Sequence, residues 1–210
     1  MSKVLIIGPP GSGKGTQAGR IADHLGIVPI STGDIFRAHV KSKSPLGLEA
    51  KSYMDAGDFV PDSVTNRMVR TRLNEADLSN GFLLDGYPRT RAQVDYLDQI
   101  LADNGQRIDA VLQVTAEDEE LVRRLLIRAQ EAGRSDDTEA VIRHRLDLYH
   151  EQTEATVSTY ADRGILARVD GMGAVGEVTE RLLLALGTVA TENHATSASV
   201  SQKFAGGTLV

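Results

Sequence analysis

Four groups of residues have types and spacings suited to handling phosphate. The first is GPPGSGKGT, Gly8 to Thr16. Its glycines, Gly8, Gly11, Gly13 and Gly15, allow a backbone with φ > 0 that approaches an anion closely. Successive backbone N–H groups then converge on phosphate oxygens, and a helix beginning there adds its positive dipole end. Lys14 supplies a mobile positive charge for the outer phosphates, and Thr16 a hydroxyl beside a magnesium ion. Gly8 and Gly13-Lys14 fit the spacing G-x-x-x-x-G-K-[ST], with Gly15 standing before the hydroxyl residue. The plainer alternative is a strand-to-helix turn with spare glycines. The apolar run Val4 to Ile7 before the loop and the helical segment Gln17 to Leu25 after it supply the context a phosphate loop needs.

The second group is STGDIFR, Ser31 to Arg37, a turn opening a helix. Thr32 or Asp34 also reads as an ordinary N-cap, and Arg37 alone as a solvated charge. The third is FLLDGYPRTRAQ, Phe82 to Gln93. It ends an apolar strand on Asp85, turns through Gly86-Tyr87-Pro88 and reaches Arg89. A carboxylate ending a buried strand beside a phosphate loop is placed to hold magnesium-bound water. The competing role for Asp85 is a cap or turn former. The fourth group is arginine: Arg123, Arg124, Arg128, Arg134, Arg143 and Arg145 crowd one region of an acidic chain. Guanidinium suits bidentate phosphate contact, and Arg124 and Arg128 share a helix face. The alternative is a solvated face paired to Glu117–Glu120 and Asp136-Asp137, which Arg123 and Arg143 are expected to follow.

The elements that must position these groups are legible in the spacing of apolar residues. Near-continuous apolar runs at Lys3–Gly8, Ile27–Ser31, Phe82–Asp85, Ile108–Thr115 and Ile165–Val169 predict strands buried on both faces. Helical patterns fall between them, at Thr16–Leu25, Asp62–Asn74, Arg91–Asn104, Glu117–Ala132, Thr138–Arg163 and Val175–Leu186. The alternation predicts an α/β fold with a parallel sheet. Thr32 to Gly81 holds no core strand and predicts a helical excursion. Asp136 and Glu139 form a capping-box-like pair ahead of the helix at Thr138, and Gly164 stops it. Residues 188–210, rich in Thr, Ser, Ala and Gly without periodicity, read as a disordered tail.

Composition narrows the class. The 210 residues are 41% hydrophobic and 25% charged, ordinary for one soluble domain. A net charge of −6 argues against nonspecific nucleic-acid binding. Without cysteine there is no disulfide framework and no thiolate zinc site. No apolar run approaches the ~20 residues that span a bilayer, so no membrane partner is expected. The chain enters a strand pattern at once with no leader-like segment, and the expectation is a cytoplasmic protein.

Taken together, GPPGSGKGT, STGDIFR, GYPRTRAQ and RRLLIRAQEAGRSDDTEAVIRHRL resemble, in order and spacing, the nucleoside monophosphate kinases, most closely their adenylate kinase branch. The resemblance runs from Lys3 to about Gly187. It implies a P-loop five-stranded parallel sheet flanked by helices, with residues 1–187 as one kinase domain. Within that domain it implies a helical acceptor-binding lobe at 31–60 and a short lid at 125–137. It implies that Gly11, Ser12, Gly13, Lys14, Gly15 and Thr16 cradle the phosphates of ATP, with Arg124 and Arg128 at the lid hinge and Arg124 near the ATP base. It implies that Thr32, Arg37, Gly57, Asp58, Phe59, Val60, Gly86, Arg89 and Gln93 receive AMP. Arg37 and Arg89 take its phosphate, and Gln93 the adenine edge. Arg134 and Arg145 match the pair that holds the transferring phosphoryl group, so the catalytic set is Lys14, Arg89, Arg134 and Arg145. Thr16 and Asp85 hold Mg2+ through water.

Two details sharpen the resemblance. Pyrimidine-specific relatives typically carry Ala where Thr32 stands and Asn where Thr90 stands, so AMP is the expected acceptor. Only Ala129 to Gly133 separate Arg128 from Arg134, which is the short-lid form and excludes a zinc-bearing lid. The expected partners are ATP, AMP and ADP, and the expected state is a monomer. The five histidines, 24, 39, 144, 150 and 194, show no ligand-like spacing and read as surface residues. The alternatives are a UMP or CMP kinase, or a module that holds ATP without phosphorylating an acceptor.

Overall fold

The computed structural model describes residues 2–132 and 138–189. Five strands form one sheet: β1 (Ser2–Ile7), β2 (Val28–Ser31), β3 (Gly81–Asp85), β4 (Ala110–Thr115) and β5 (Leu166–Asp170). The order is β2-β3-β1-β4-β5, and every pairing is parallel. Side chains alternate across the sheet as the strand period requires. Leu5, Ile7, Phe82, Leu84 and Val111 join one core cluster. Val4, Ile6, Leu83, Leu112 and Val114 join the other.

Helices cover both faces. On one lie α1 (Lys14–Leu25), through Ala18, Ile21 and Ala22, and the C-terminal helix 175–189, through Val178, Leu182 and Leu186. On the other lie α4 (Asp62–Leu73), α5 (Arg91–Ala102) and α8 (Glu154–Asp162), through Val64, Val94 and Tyr160. The excursion after β2 is helical, comprising α2 (Thr32–Lys41), α3 (Pro45–Ala56), α4 and a 3-10 turn at Ala76–Asn80. The helices α6 (Asp118–Ala132) and α7 (Glu139–Leu148) share a third cluster built from Leu121, Leu125, Ile142 and Leu146.

The single helix expected over 138–163 is interrupted. A π turn at Tyr149–Thr153 joins α7 to α8. It sits where burial changes partners, since α7 packs on α6 while Val157 and Tyr160 of α8 enter the central core. Such wide turns inside helices recur at functional sites. The cap of α7 also differs from the expected Asp136, which lies outside the described residues. Thr138 is the N-cap, its hydroxyl accepting from the Val141 N–H at 3.4 Å. The last helix continues through residue 189, past the expected start of the tail, and the rest of that segment lies outside the described residues.

Candidate functional site

The carboxyl ends of β1, β3 and β4 meet where the strand order reverses about β1, the crevice in which ligands of open parallel sheets collect. The loop after β1 reaches α1 through Gly11 (φ 84°) and Gly13 (φ 88°), the latter serving as the N-cap. Only these two of the loop's glycines have positive φ. Gly8 is needed for a different reason, because a Cβ there would lie 2.4 Å from the Val114 carbonyl oxygen. The loop thus presses against β4, and its residues border a cavity of about 680 Å3. That volume suits ligands of small-molecule size.

Nearly every expected site residue borders this cavity. Gly11, Gly13, Lys14, Gly15, Thr16, Arg124 and Arg128 line one part of it. Thr32, Arg37, Gly57, Asp58, Phe59, Val60, Gly86, Arg89, Gln93 and Arg145 line the rest. Ser12 does not. It is buried, its hydroxyl without a partner, beside a second recess between the loop and the α6–β5 side. Arg134, Asp136 and Asp137 lie outside the described residues.

Burial tunes the floor of the cavity. Lys14 Nζ donates to the Pro9 carbonyl at 2.7 Å. Desolvation pulls its ammonium down to about 8, opposed by Asp85 and reinforced by Arg89 and Arg128. Desolvation pushes the Asp85 carboxyl up, and Lys14 and Arg89 pull it back. Arg89 is lowered by burial and held against that by Asp85. The three form one mutually dependent charge group at the strand ends. Asp85 Oδ1 is buried with no hydrogen-bond partner, and a Cβ on Gly15 would lie 3.8 Å from Oδ2. An orphaned carboxylate oxygen beside a phosphate loop fits a divalent cation, since it supplies a hard oxygen ligand or an acceptor for metal-bound water. Among the described residues no cluster of three or more acidic or histidine side chains is built to hold a metal. A strand-end carboxylate with one unpartnered oxygen fits Mg2+, an ion that keeps several waters and takes further ligands from substrate phosphates.

The turn after β3 is tightly organised. Arg89 Nε donates to the Gly86 carbonyl at 2.8 Å. The Gln93 carboxamide oxygen accepts from the Arg89 backbone N–H at 2.7 Å, and Gln93 Nε2 donates to Asp62 at 2.6 Å. Asp62 also accepts from the Thr90 hydroxyl at 2.9 Å, and Thr90 caps α5. Both ends of the Gln93 amide are thereby fixed, and among the described residues the second Nε2 proton has no acceptor. Thr32 does not cap α2. That role falls to Ser31, which accepts from the Asp34 N–H at 3.2 Å. Thr32 is instead buried, its hydroxyl donating to the Asp85 carbonyl at 3.3 Å. Arg37 pairs with Asp34 one turn away.

The arginines divide as their surroundings dictate. Arg123 pairs with Glu120, and Arg143 with Glu119 and Glu139, both on exposed faces as expected. Arg124 also bonds Glu120, at 2.7 Å, and donates to the Gly171 carbonyl at 3.3 Å. Together Arg123 and Arg124 hold the Glu120 carboxyl down to about 2. Arg145 Nη2 donates to the Met54 carbonyl at 3.0 Å, tying α7 to the end of α3. Histidines 24, 144 and 150 are exposed and His39 is half-buried, while His194 lies outside the described residues.

Three features escaped the sequence reading. Tyr149 and Thr153 of the π turn line the main cavity, and nothing in their spacing marks a π turn. Asp62 orients Gln93 across 31 positions of chain, a pairing with no local signature. The segment Gly171-Met172-Gly173 after β5 meets Arg124 and borders the second recess. Its two glycines at a strand end are the one signal that marked it in advance.

Comparison with known proteins agrees with this geometry. A family model described as Adenylate kinase matches residues 6–165. The adenylate kinase of Pseudarthrobacter chlorophenolicus is 72% identical over 186 residues, covering 89% of this chain and 97% of that protein. That of Renibacterium salmoninarum is 68% identical over 186 residues, covering 89% and 96%. That of a Nocardioides species is 57% identical over 187 residues, covering 89% and 98%. With a glycine loop, a strand-end carboxylate and two sets of cations around one cavity, and relatives matched over nearly their full length, the chain belongs to the adenylate kinase family.

Proposed function

We propose that this protein catalyses the reversible transfer of the terminal phosphoryl group of Mg-ATP to AMP, giving two ADP. The observation that supports it most is the single cavity of about 680 Å3 bordered both by the loop Gly8–Thr16 and by Arg37, Arg89 and Arg145. A holder of one nucleotide needs the loop. It has no use for a second cluster of guanidinium groups across the same space.

In this reading Gly11 to Thr16, Lys14 among them, cradle the phosphates of ATP, with Arg124 and Arg128 at the lid hinge and Arg124 near the adenine. Arg37 and Arg89 take the acceptor phosphate. Arg134 and Arg145 follow the group in flight. Thr16 and Asp85 would hold Mg2+ through water, and the ion would supply charge neutralisation on the phosphate oxygens. An oxygen of the AMP phosphate attacks the terminal phosphorus in line as the bond to the β-phosphate oxygen breaks. That acceptor is already ionised near pH 7, its second pKa being about 6, so no general base is required. The transition state is loose, with charge spread over the equatorial oxygens. The protein's work is alignment and positive charge.

Thr32 and Gln93 favour AMP over pyrimidine monophosphates. The remaining Nε2 proton of Gln93 suits an acceptor on the adenine edge, and the grip of Asp62 and Arg89 fixes its direction. Residues 31–60 form the acceptor lobe and 125–137 the short lid, within one kinase domain spanning 1–187. Their closure excludes water, which otherwise hydrolyses ATP.

The test is ADP formation from ATP with AMP, UMP, CMP or no acceptor, each with and without magnesium. The proposal expects rapid turnover with AMP and magnesium only. Faster turnover with UMP or CMP overturns the acceptor assignment. ADP release that does not depend on any acceptor overturns the transferase assignment.

A further inference from the structure

The Arg89 guanidinium lies over the face of the Phe59 ring, with Cζ 5.1 Å from the ring centroid. The two come from separate parts of the fold. Arg89 follows β3 on the rigid rim of the sheet. Phe59 belongs to the segment between α3 and α4. That segment is seated against α7 by three contacts. The Met54 carbonyl accepts from Arg145, Asp58 meets His144 Nε2 at 2.7 Å, and a Cβ on Gly57 would lie 2.8 Å from Val141 Cγ1. Among the described residues the Arg89 side chain is hydrogen-bonded through Nε to the Gly86 carbonyl, and its charge is met by Asp85. Arg89 and Phe59 both line the cavity.

We propose that Phe59 is a positioning residue for the acceptor phosphate. Its ring, carried on the 57–60 segment, clamps the guanidinium plane of Arg89 so that both terminal amino groups point at that phosphate when the segment is seated on α7. The inference rests on reading Arg89 as the acceptor-phosphate arginine. It differs from the role the resemblance gives Phe59, which concerns backbone passing along a base. The physics is a desolvated cation over a π face. A guanidinium fixed in one plane also loses less freedom on making a bidentate contact. An aliphatic residue of similar volume fills the space without the quadrupole and without a flat surface to enforce the plane.

The test uses the full chain with Phe59→Leu, Phe59→Met and Phe59→Tyr, each alone, and Phe59→Leu combined with Arg89→Lys. ADP formation is measured with ATP and AMP varied separately, and melting temperatures report folding. The expected result for Phe59→Leu and Phe59→Met is a KM for AMP raised about 3- to 30-fold. The KM for ATP stays within about twofold, and Phe59→Tyr stays near the parent protein. In the Arg89→Lys background, Phe59→Leu adds little, because an ammonium has no plane to clamp. Three results overturn the proposal: an unchanged KM for AMP in both aliphatic variants, an equal loss in Phe59→Tyr, or an undiminished Phe59→Leu penalty on top of Arg89→Lys. If the parent protein itself forms no ADP from AMP, it is the functional reading that fails, and the two failures are distinguishable.

Discussion

Replacing Lys14 by methionine separates what the floor of the cavity costs from what it does. Burial takes the Lys14 ammonium from its usual 10.5 to about 8, which corresponds to about 3 kcal/mol of unfavourable placement. The side chain lines the cavity and is half-buried, so screening reduces this to about 2 kcal/mol. Methionine keeps the aliphatic stem and removes the charge. It also removes the bond to the Pro9 carbonyl, worth about 1 kcal/mol. The net expectation at pH 7 is a variant about 1 kcal/mol more stable, a rise in Tm of roughly 3 °C for a chain of this size. Activity falls at least about 100-fold, because the charge facing the phosphates is gone.

The sign with pH follows from linkage. Below pH 8 Lys14 is protonated folded and unfolded, and folding moves a charge out of water. Between 8 and 10.5 the unfolded chain binds a proton that the folded chain has shed, so parent stability rises with pH. The advantage of the variant is therefore largest below pH 8 and reverses as the pH rises, the gap moving by about 2 kcal/mol so that the parent is about 1 kcal/mol the more stable by pH 10.5. Denaturant melts of both proteins at pH 7 and pH 10, beside ADP-formation rates at pH 7, make the comparison. A variant that is less stable at pH 7, or a stability gap that does not move with pH, refutes the reasoning.

Other consequences follow from particular contacts. Arg89→Ala is expected to lower kcat/KM for AMP by about 100-fold or more while leaving the melting temperature close to the parent; a normal rate removes Arg89 from the site. Gly86→Ala puts a Cβ 2.5 Å from the Thr32 hydroxyl and 3.3 Å from Arg89 Nη2, at φ 84°. It is expected to cost about 1–3 kcal/mol and to raise the KM for AMP far more than that for ATP, which steady-state kinetics will show. His150 places one ring nitrogen 3.2 Å from Glu154 and the other 3.2 Å from Asp118, an arrangement that suits the imidazolium. Burial pulls this imidazole down, but the bonds to Glu154 and Asp118 outweigh it, and the net shift is upward from 6.5. Its contribution is complete below pH 6.5 and disappears as the pH rises through the folded value. His150→Gln is therefore expected to be destabilising at pH 5.5 and near neutral at pH 9, as read by chemical denaturation.

The parts of the molecule that were legible beforehand share a cause: their signals are local. Val4 to Ile7 is apolar throughout because both faces of β1 are covered, and that run is visible without knowing what covers it. Gly13-Lys14 opens the helix that follows β1 and Asp85 ends β3, and both places can be read from the neighbouring apolar runs. What escaped depends on contacts distant in sequence. Whether Thr32 caps a helix or bonds to Asp85 is decided 53 residues away. The grip of Asp62 on Gln93 and of Met54 on Arg145 requires helices from different quarters to meet. The π turn arises because α7 and α8 pack on different clusters, while the burial spacing of Ile142, Leu146, Tyr149, Thr153 and Val157 alone reads as one α-helix. The loop between β1 and α1 is legible from its glycines, yet these serve two purposes, positive φ at 11 and 13 and close approach at 8.

The central claim is that two nucleotides lie head to head across Lys14, Arg89 and Arg145 in one cavity. A bisubstrate analogue in which two adenosines are joined through a chain of phosphates tests it directly, by calorimetry with competing ATP and AMP. The account predicts one analogue per chain, displaced by neither nucleotide alone at moderate concentration, and excluding both when bound. An analogue that excludes ATP while AMP still binds, or one that binds no more tightly than ATP, contradicts it.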